Sequence, residues 1–141
     1  MVSANVYNLT TEGALKVAAN FKVSEFKSDS NIVLINSKLP AALQMIRDKI
    51  GKPVIITCAY RTEGHNKRVG GVVSSKHLYG MAADIYVSGM DERVLARTIN
   101  SLFPKNYAII CYTKKHFVHF DVRDQKYRAI NDGKERAVTA F

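Results

Sequence analysis

The stretch Ser74-Ser75-Lys76-His77-Leu78-Tyr79-Gly80-Met81-Ala82-Ala83-Asp84-Ile85 decides how the rest of the chain is read. It sets an imidazole and a carboxylate seven residues apart, with a glycine between them that lets the chain bend. Behind that glycine, Met81 to Val87 predicts a strand, with Met81, Ala83 and Ile85 facing a core and Ala82, Asp84 and Tyr86 facing away. His and Asp are both good ligands for a borderline cation such as Zn²⁺, whose catalytic sites use three protein ligands and leave one position open. A third donor is available downstream, in His116-Phe117-Val118-His119-Phe120-Asp121-Val122-Arg123. Strict alternation there points Val118, Phe120 and Val122 inward and leaves Phe117, His119, Asp121 and Arg123 on the opposite face. A carboxylate from a neighbouring strand can meet His119 on that face.

Upstream, Arg61 to Ser75 reads as a polar, glycine-bearing loop containing His65, and a loop this long inside a compact domain is usually functional. Before it, Val54 to Tyr60 is rich in β-branched residues and almost continuously apolar, which predicts a strand buried on both faces. Ser37 reads as the N-cap of a helix whose Leu39, Leu43, Ile46 and Ile50 share one face, and Gly51 and Pro53 end it. Phe21 to Phe26 alternates as a short extended segment, and Ser28 to Asn31 is a turn. Thr10 or Thr11 caps a short helix through Ala14, Leu15, Val17 and Ala18.

Downstream, Ser88 and Asp91 form a capping-box-like pair ahead of a helix from about Asp91 to Phe103, lined by Leu95, Ile99 and Leu102 and stopped by Pro104. Tyr107 to Tyr112 and Phe117 to Arg123 are strands joined as a hairpin by Thr113 to His116. After Arg128 the chain turns polar and is expected to fray.

A length of 141 residues, without repeat or linker, suits one domain, 1–141, large enough to bury a core without disulfides. The net charge of +9 suits a polyanionic partner: nucleic acid, an anionic membrane surface, or the teichoic acid and phosphate of a bacterial wall. Nucleic acid is disfavoured, because the aromatics are not interleaved with the basic residues. Cys58 and Cys111 each sit in an apolar run and read as small buried hydrophobes, and neither has a second thiol at metal-binding spacing. No apolar h-region follows a basic start, and no run approaches the roughly 20 apolar residues of a membrane span. A protein made in the cytosol without its own export signal, and monomeric, is the expectation.

The motif His77-x-x-Gly80-x-Ala82-x-Asp84, preceded by Ser75, resembles the SxHxxGxAxD signature of the M15 zinc peptidases. Phe117 to Arg123 resembles that family's second block, which supplies the last zinc ligand. Ala59-Tyr60-Arg61-Thr62, with His65-Asn66 and Val69-Gly70-Gly71, resembles the block around its substrate-binding arginine, and Phe21 to Phe26 resembles a segment of its small phage-associated members. The resemblance covers about residues 20–128. It implies an α+β fold of the hedgehog/DD-peptidase type, a small antiparallel sheet flanked by helices. It implies Zn²⁺ on His77, Asp84 and His119, with Arg61 and Ser75 holding substrate. One departure is visible: many members carry Glu or Asp three residues before the last ligand as general base, and here that position is His116. His116 or Asp121 is left for the catalytic role, with Asp121 also placed to orient an imidazole.

The resemblance further implies a peptidase of bacterial peptidoglycan stem peptides, D-Ala-D-Ala carboxypeptidase-like and of phage or prophage origin, acting on the wall after lysis or from a virion. The alternatives are an L-Ala-D-Glu endopeptidase endolysin, or a zinc-bearing wall-binding or virion module without turnover, which the missing carboxylate favours.

Overall fold

The computed structural model describes residues 4–141. Its centre is a six-stranded mixed sheet of β5 (Ile55–Cys58), β6 (Ala82–Tyr86), β7 (Ala108–Tyr112), β8 (Phe117–Asp121), β9 (Tyr127–Asn131) and β10 (Glu135–Ala137), in the order β10-β9-β7-β8-β6-β5. All neighbours are antiparallel except β7 and β9, which run parallel. Two small antiparallel pairs precede it: β1 (Ala4–Asn8) with β4 (Ile32–Asn36), and β2 (Lys16–Ala18) with β3 (Phe21–Lys22). The helices are α1 (Leu9–Glu12), α2 (Lys38–Ile50), α3 (Glu63–Arg68) and α4 (Glu92–Leu102). The α+β class expected from the sequence is the observed one.

The alternation of β8 explains the layers. Val118 and Phe120 are fully buried and meet Ala83 and Ile85 of β6, Ile109 and Cys111 of β7, and Leu95, Ala96 and Ile99 of α4 in one core. α4 packs on β7 and β8, and α2 lies beside α4 with Leu39, Leu43 and Ile46 inward. One face of the sheet is therefore apolar and covered, and the other remains for chemistry.

Several sequence expectations are corrected. The helix capped by Thr10 or Thr11 is only α1, capped by Asn8, whose Oδ1 accepts from the Thr11 amide. The Phe21 to Phe26 segment extends only through β3 and then turns as a 3₁₀ helix over Val23–Phe26. Ser37 makes no capping bond; Asn36 Oδ1 accepts from the Lys38 amide instead. Asp91 alone caps α4, through the Arg93 amide. The 61–75 loop contains α3, capped by Thr62. β5 is not buried on both faces: it is an edge strand with Ile55 and Ile56 half-buried and Thr57 exposed.

The segment after Arg128 does not fray. Arg128 is buried and spends its guanidinium on Asn100 Oδ1 and the carbonyls of Phe103, Asn106, Tyr107 and Tyr127, so it ties β9 to the turn after α4. Its charge made the segment look solvated, whereas five acceptors compensate its burial.

Gly80 is the one glycine whose conformation sets the site. It adopts φ +68°, ends a 3₁₀ turn over Lys76–Tyr79, and its carbonyl accepts from the Asn36 amide. A Cβ there would overlap the Leu34 carbonyl. Gly80→Ala is therefore expected to destabilise the fold by more than about 2 kcal/mol, adding that overlap to the left-handed penalty of about 1–2 kcal/mol. A urea midpoint equal to wild type would contradict this.

Candidate active site

The open face of the sheet carries a row of residues set by strand register: Cys58 pairs with Asp84, Asp84 with His119, His119 with Ile110, and Ile110 with Ala129. Neighbours in such a row have Cβ atoms about 4.5–5.5 Å apart, so side chains of this length meet. His77 enters from the 3₁₀ turn, where Ser75 Oγ accepts from the His77 amide at 3.3 Å. Both imidazoles converge on one oxygen. His77 Nε2 lies 3.3 Å and His119 Nδ1 3.0 Å from Asp84 Oδ1, with the rings in edge contact at 5.1 Å.

The outer ring nitrogens are fixed from behind. His77 Nδ1 donates to the Ala59 carbonyl at 2.6 Å, and His119 Nε2 donates to Asp121 Oδ2 at 2.7 Å. Those bonds leave Nε2 of His77 and Nδ1 of His119 as the inward-facing nitrogens, the arrangement that orients imidazoles on a metal. Asp121 is fully buried and is itself gripped by Arg123, with Nε on Oδ1 and Nη2 on Oδ2, both at 2.7 Å.

The electrostatics show the same demand for a cation. Burial opposes charge on His77, but Asp84 and Cys58 outweigh it and raise its pKa to about 9. For His119 too, burial opposes the charge, and the bonds to Asp121 and Asp84 raise the pKa. Burial would raise Asp84, yet the two imidazoles hold it well below the usual carboxylate range. Burial would likewise raise Asp121, but Arg123 and His119 lower it to about 2. In the absence of a metal, protons supply the positive charge that Asp84 requires. The donor set of two neutral imidazoles and a carboxylate fits Zn²⁺ with one position open.

The cluster forms part of the wall of a cleft of about 610 Å³. Arg61, 16% exposed at its side chain, enters it with Nη2 3.8 Å from Asp84 Oδ2, held by Asn66 Oδ1 on Nη1 at 3.2 Å. Ser75 also lines the cleft. His116 is not brought there. It closes the β7–β8 hairpin in a left-handed conformation (φ 58°), and its imidazole, 75% exposed, meets Glu92 Oε1 at 2.6 Å. His116→Ala is accordingly expected to leave the pH–rate profile superimposable on wild type. A loss of 10²-fold or more, the usual scale for a positioned base, would return it to the site. His65 bonds Ser28 Oγ at 2.8 Å, away from the cluster.

Cys58 is the residue whose reading changes most. It is not a buried hydrophobe: its Sγ accepts from Arg61 Nε at 3.2 Å and lies 4.0 Å from His77 Nδ1. Burial pushes its pKa up, but His77 and Arg61 outweigh that and hold it below the usual thiol value. With His77 and Asp84 it forms an alternative donor group, all atoms within 4.8 Å of one another. His119 is the better third ligand, because its inward nitrogen is oriented from behind while Sγ is engaged by Arg61 and flanks the side of His77 given to Ala59. A Co²⁺-loaded protein should therefore lack the intense near-ultraviolet thiolate band, and Cys58→Ala should keep its metal. A band lost on that substitution would assign the sulfur instead. The signal for Cys58 was its register opposite Asp84, which appears only once the strands are paired.

The family model described as Peptidase M15 matches residues 8–121. No curated protein matches the chain. Among the described residues, no helix is long and apolar enough to cross a membrane.

Proposed function

Because the chain belongs to the M15 peptidase family, we propose that it is a zinc metallopeptidase of bacterial peptidoglycan stem peptides, acting as a D-Ala-D-Ala carboxypeptidase. The observation that carries this reading is the convergence of two imidazoles, each oriented from behind, on Asp84 Oδ1 beside a half-encircled arginine. When bound, Zn²⁺ would supply an acidified water and a polarised scissile carbonyl. His77, Asp84 and His119 would hold it. Asp121 keeps His119 Nε2 protonated and turned outward, and Arg123 keeps Asp121 ionised.

Arg61 gives the substrate its direction. Its guanidinium fork suits a terminal carboxylate, and placing that carboxylate beside the metal leaves the preceding peptide bond at the reacting position. Lys76, Lys115 and Arg123 line the same cleft and favour the anionic stem. The net charge of +9 extends that preference to the wall as a whole, where we place the site of action, with a phage or prophage source.

An L-Ala-D-Glu endopeptidase would use the same arginine on the D-Glu carboxylate, so the products separate the two. Mass spectrometry of a defined pentapeptide muropeptide digest with added Zn²⁺ should show loss of one alanine. Release at L-Ala-D-Glu would assign the endopeptidase. An unchanged mass would leave a binding or virion module without turnover.

A further inference from the structure

The cleft is also lined by Tyr127 of β9 and Glu135 of β10, strands that lie beyond the residues the family model matches. Register sets Glu135 of β10 opposite Asn131, and Asn131 opposite Tyr112, so Glu135 stands on the open face of the sheet. The acidic residues of the lining are Asp84 and Glu135, against the basic Arg61, Lys76, Lys115 and Arg123. Asp84 is committed to the two imidazoles. Glu135 is not committed to a cation: among the described residues it makes no ion pair, and its one hydrogen bond is accepted by Oε2 from the Tyr127 hydroxyl at 2.7 Å.

That single bond does more than satisfy an oxygen. The Tyr127 ring carries the Arg123 guanidinium on its face, 5.4 Å from the centroid. Arg123 grips Asp121, and Asp121 holds His119. Glu135 thus belongs to the same chain of contacts as His119, with Oε1 unshared. Glu135 is exposed, so its charge costs nothing in water. A glutamate tethered by a tyrosine in a cleft whose other charged lining residues, Asp84 apart, are the cations Arg61, Lys76, Lys115 and Arg123 is a selective acceptor for a positive group on a ligand that is anionic elsewhere.

We infer that Glu135 is a specificity-determining residue that receives an ammonium group of the substrate, the side-chain amine of the diamino acid in an uncross-linked stem peptide. The inference rests on the proposed peptidase activity. A cross-linked stem has that amine acylated and uncharged, so Glu135 selects stems before cross-linking. The charge-assisted bond amounts to roughly tenfold in kcat/KM between free and acylated amine.

The test uses two synthetic peptides, L-Ala-γ-D-Glu-L-Lys-D-Ala-D-Ala with the lysine amine free or acetylated, and the zinc-loaded full chain. Wild type should prefer the free amine about tenfold in kcat/KM. Glu135→Gln keeps an acceptor for Tyr127 but no charge, and should bring the ratio to about one. Glu135→Lys should invert it. Zinc content equal to wild type in both variants shows that the ligand cluster is intact. Equal kcat/KM for the two peptides in wild type, or a preference retained in Glu135→Gln, overturns the role of Glu135 while leaving the peptidase reading standing. Turnover of neither peptide by wild type overturns both.

Discussion

Asp84→Ala is expected to release the metal and take peptide turnover below detection, and His77→Ala and His119→Ala should do the same. Each removes one of three ligands around a single position, and a two-ligand remnant does not hold Zn²⁺ against dialysis. Elemental analysis checks this directly: full zinc occupancy in all three variants would sink the assignment. Asp84 has a second role that gives the prediction an independent readout. Without metal it stabilises protons on both imidazoles and, together with Cys58, raises His77 from 6.5 to about 9. A raised folded-state pKa contributes stability that is complete below the unfolded value and is lost as pH rises through the folded one. Metal-free wild type should therefore lose thermal stability between about pH 6.5 and pH 9. The zinc-loaded protein, whose imidazoles are neutral ligands, should not lose stability in that window, and in metal-free Asp84→Ala the decline should be smaller, since Cys58 and Asp121 still favour the protonated imidazoles.

Arg61→Ala is expected to lower kcat/KM for a stem peptide by about 10²–10³-fold with zinc content unchanged, the scale of truncating one partner of a largely desolvated charge pair. Arg61→Lys should lose nearly as much. The guanidinium is held as a fork by Cys58 Sγ on Nε and Asn66 Oδ1 on Nη1, with Nη2 toward Asp84. An ammonium cannot keep three separated partners and still bind a carboxylate with two parallel bonds. Unchanged kinetics in Arg61→Ala would remove this residue from the site. A loss equal in the pentapeptide and in a substrate with an amidated C-terminus would mean that the terminal carboxylate is not what Arg61 holds.

Much of the candidate site is legible along the chain, because its residues lie on a clearly alternating strand or beside a marked bend. The alternation of β8 puts His119 and Asp121 opposite Val118 and Phe120, and Gly80 marks the bend that separates His77 from Asp84. The helices α2 and α4 are likewise visible in the spacing of Leu39, Leu43 and Ile46 and of Leu95 and Ile99. Periodicity reports which face of an element is apolar, and these residues sit on elements whose two faces differ.

Periodicity does not report which strand lies beside which. The apolar run before Arg61 looks like a central strand, yet β5 is an edge, because only pairing leaves one of its sides open. The polar segment after Arg128 looks solvated, yet β9 runs parallel to β7 and β10 follows it, with Arg128 compensated by carbonyls from a distant turn. His116 lies three residues from His119, but a left-handed backbone turns it to Glu92. Sequence alone singled out His77, Asp84, His119 and Arg61 as candidates, and the structure brings all four to one cleft. The tertiary structure decided that Cys58 stands beside them, that Arg123 and Asp121 hold His119, and that Glu135 lines the same cleft. Each of those depends on contacts between strands far apart in the chain, which are set by burial across the whole sheet.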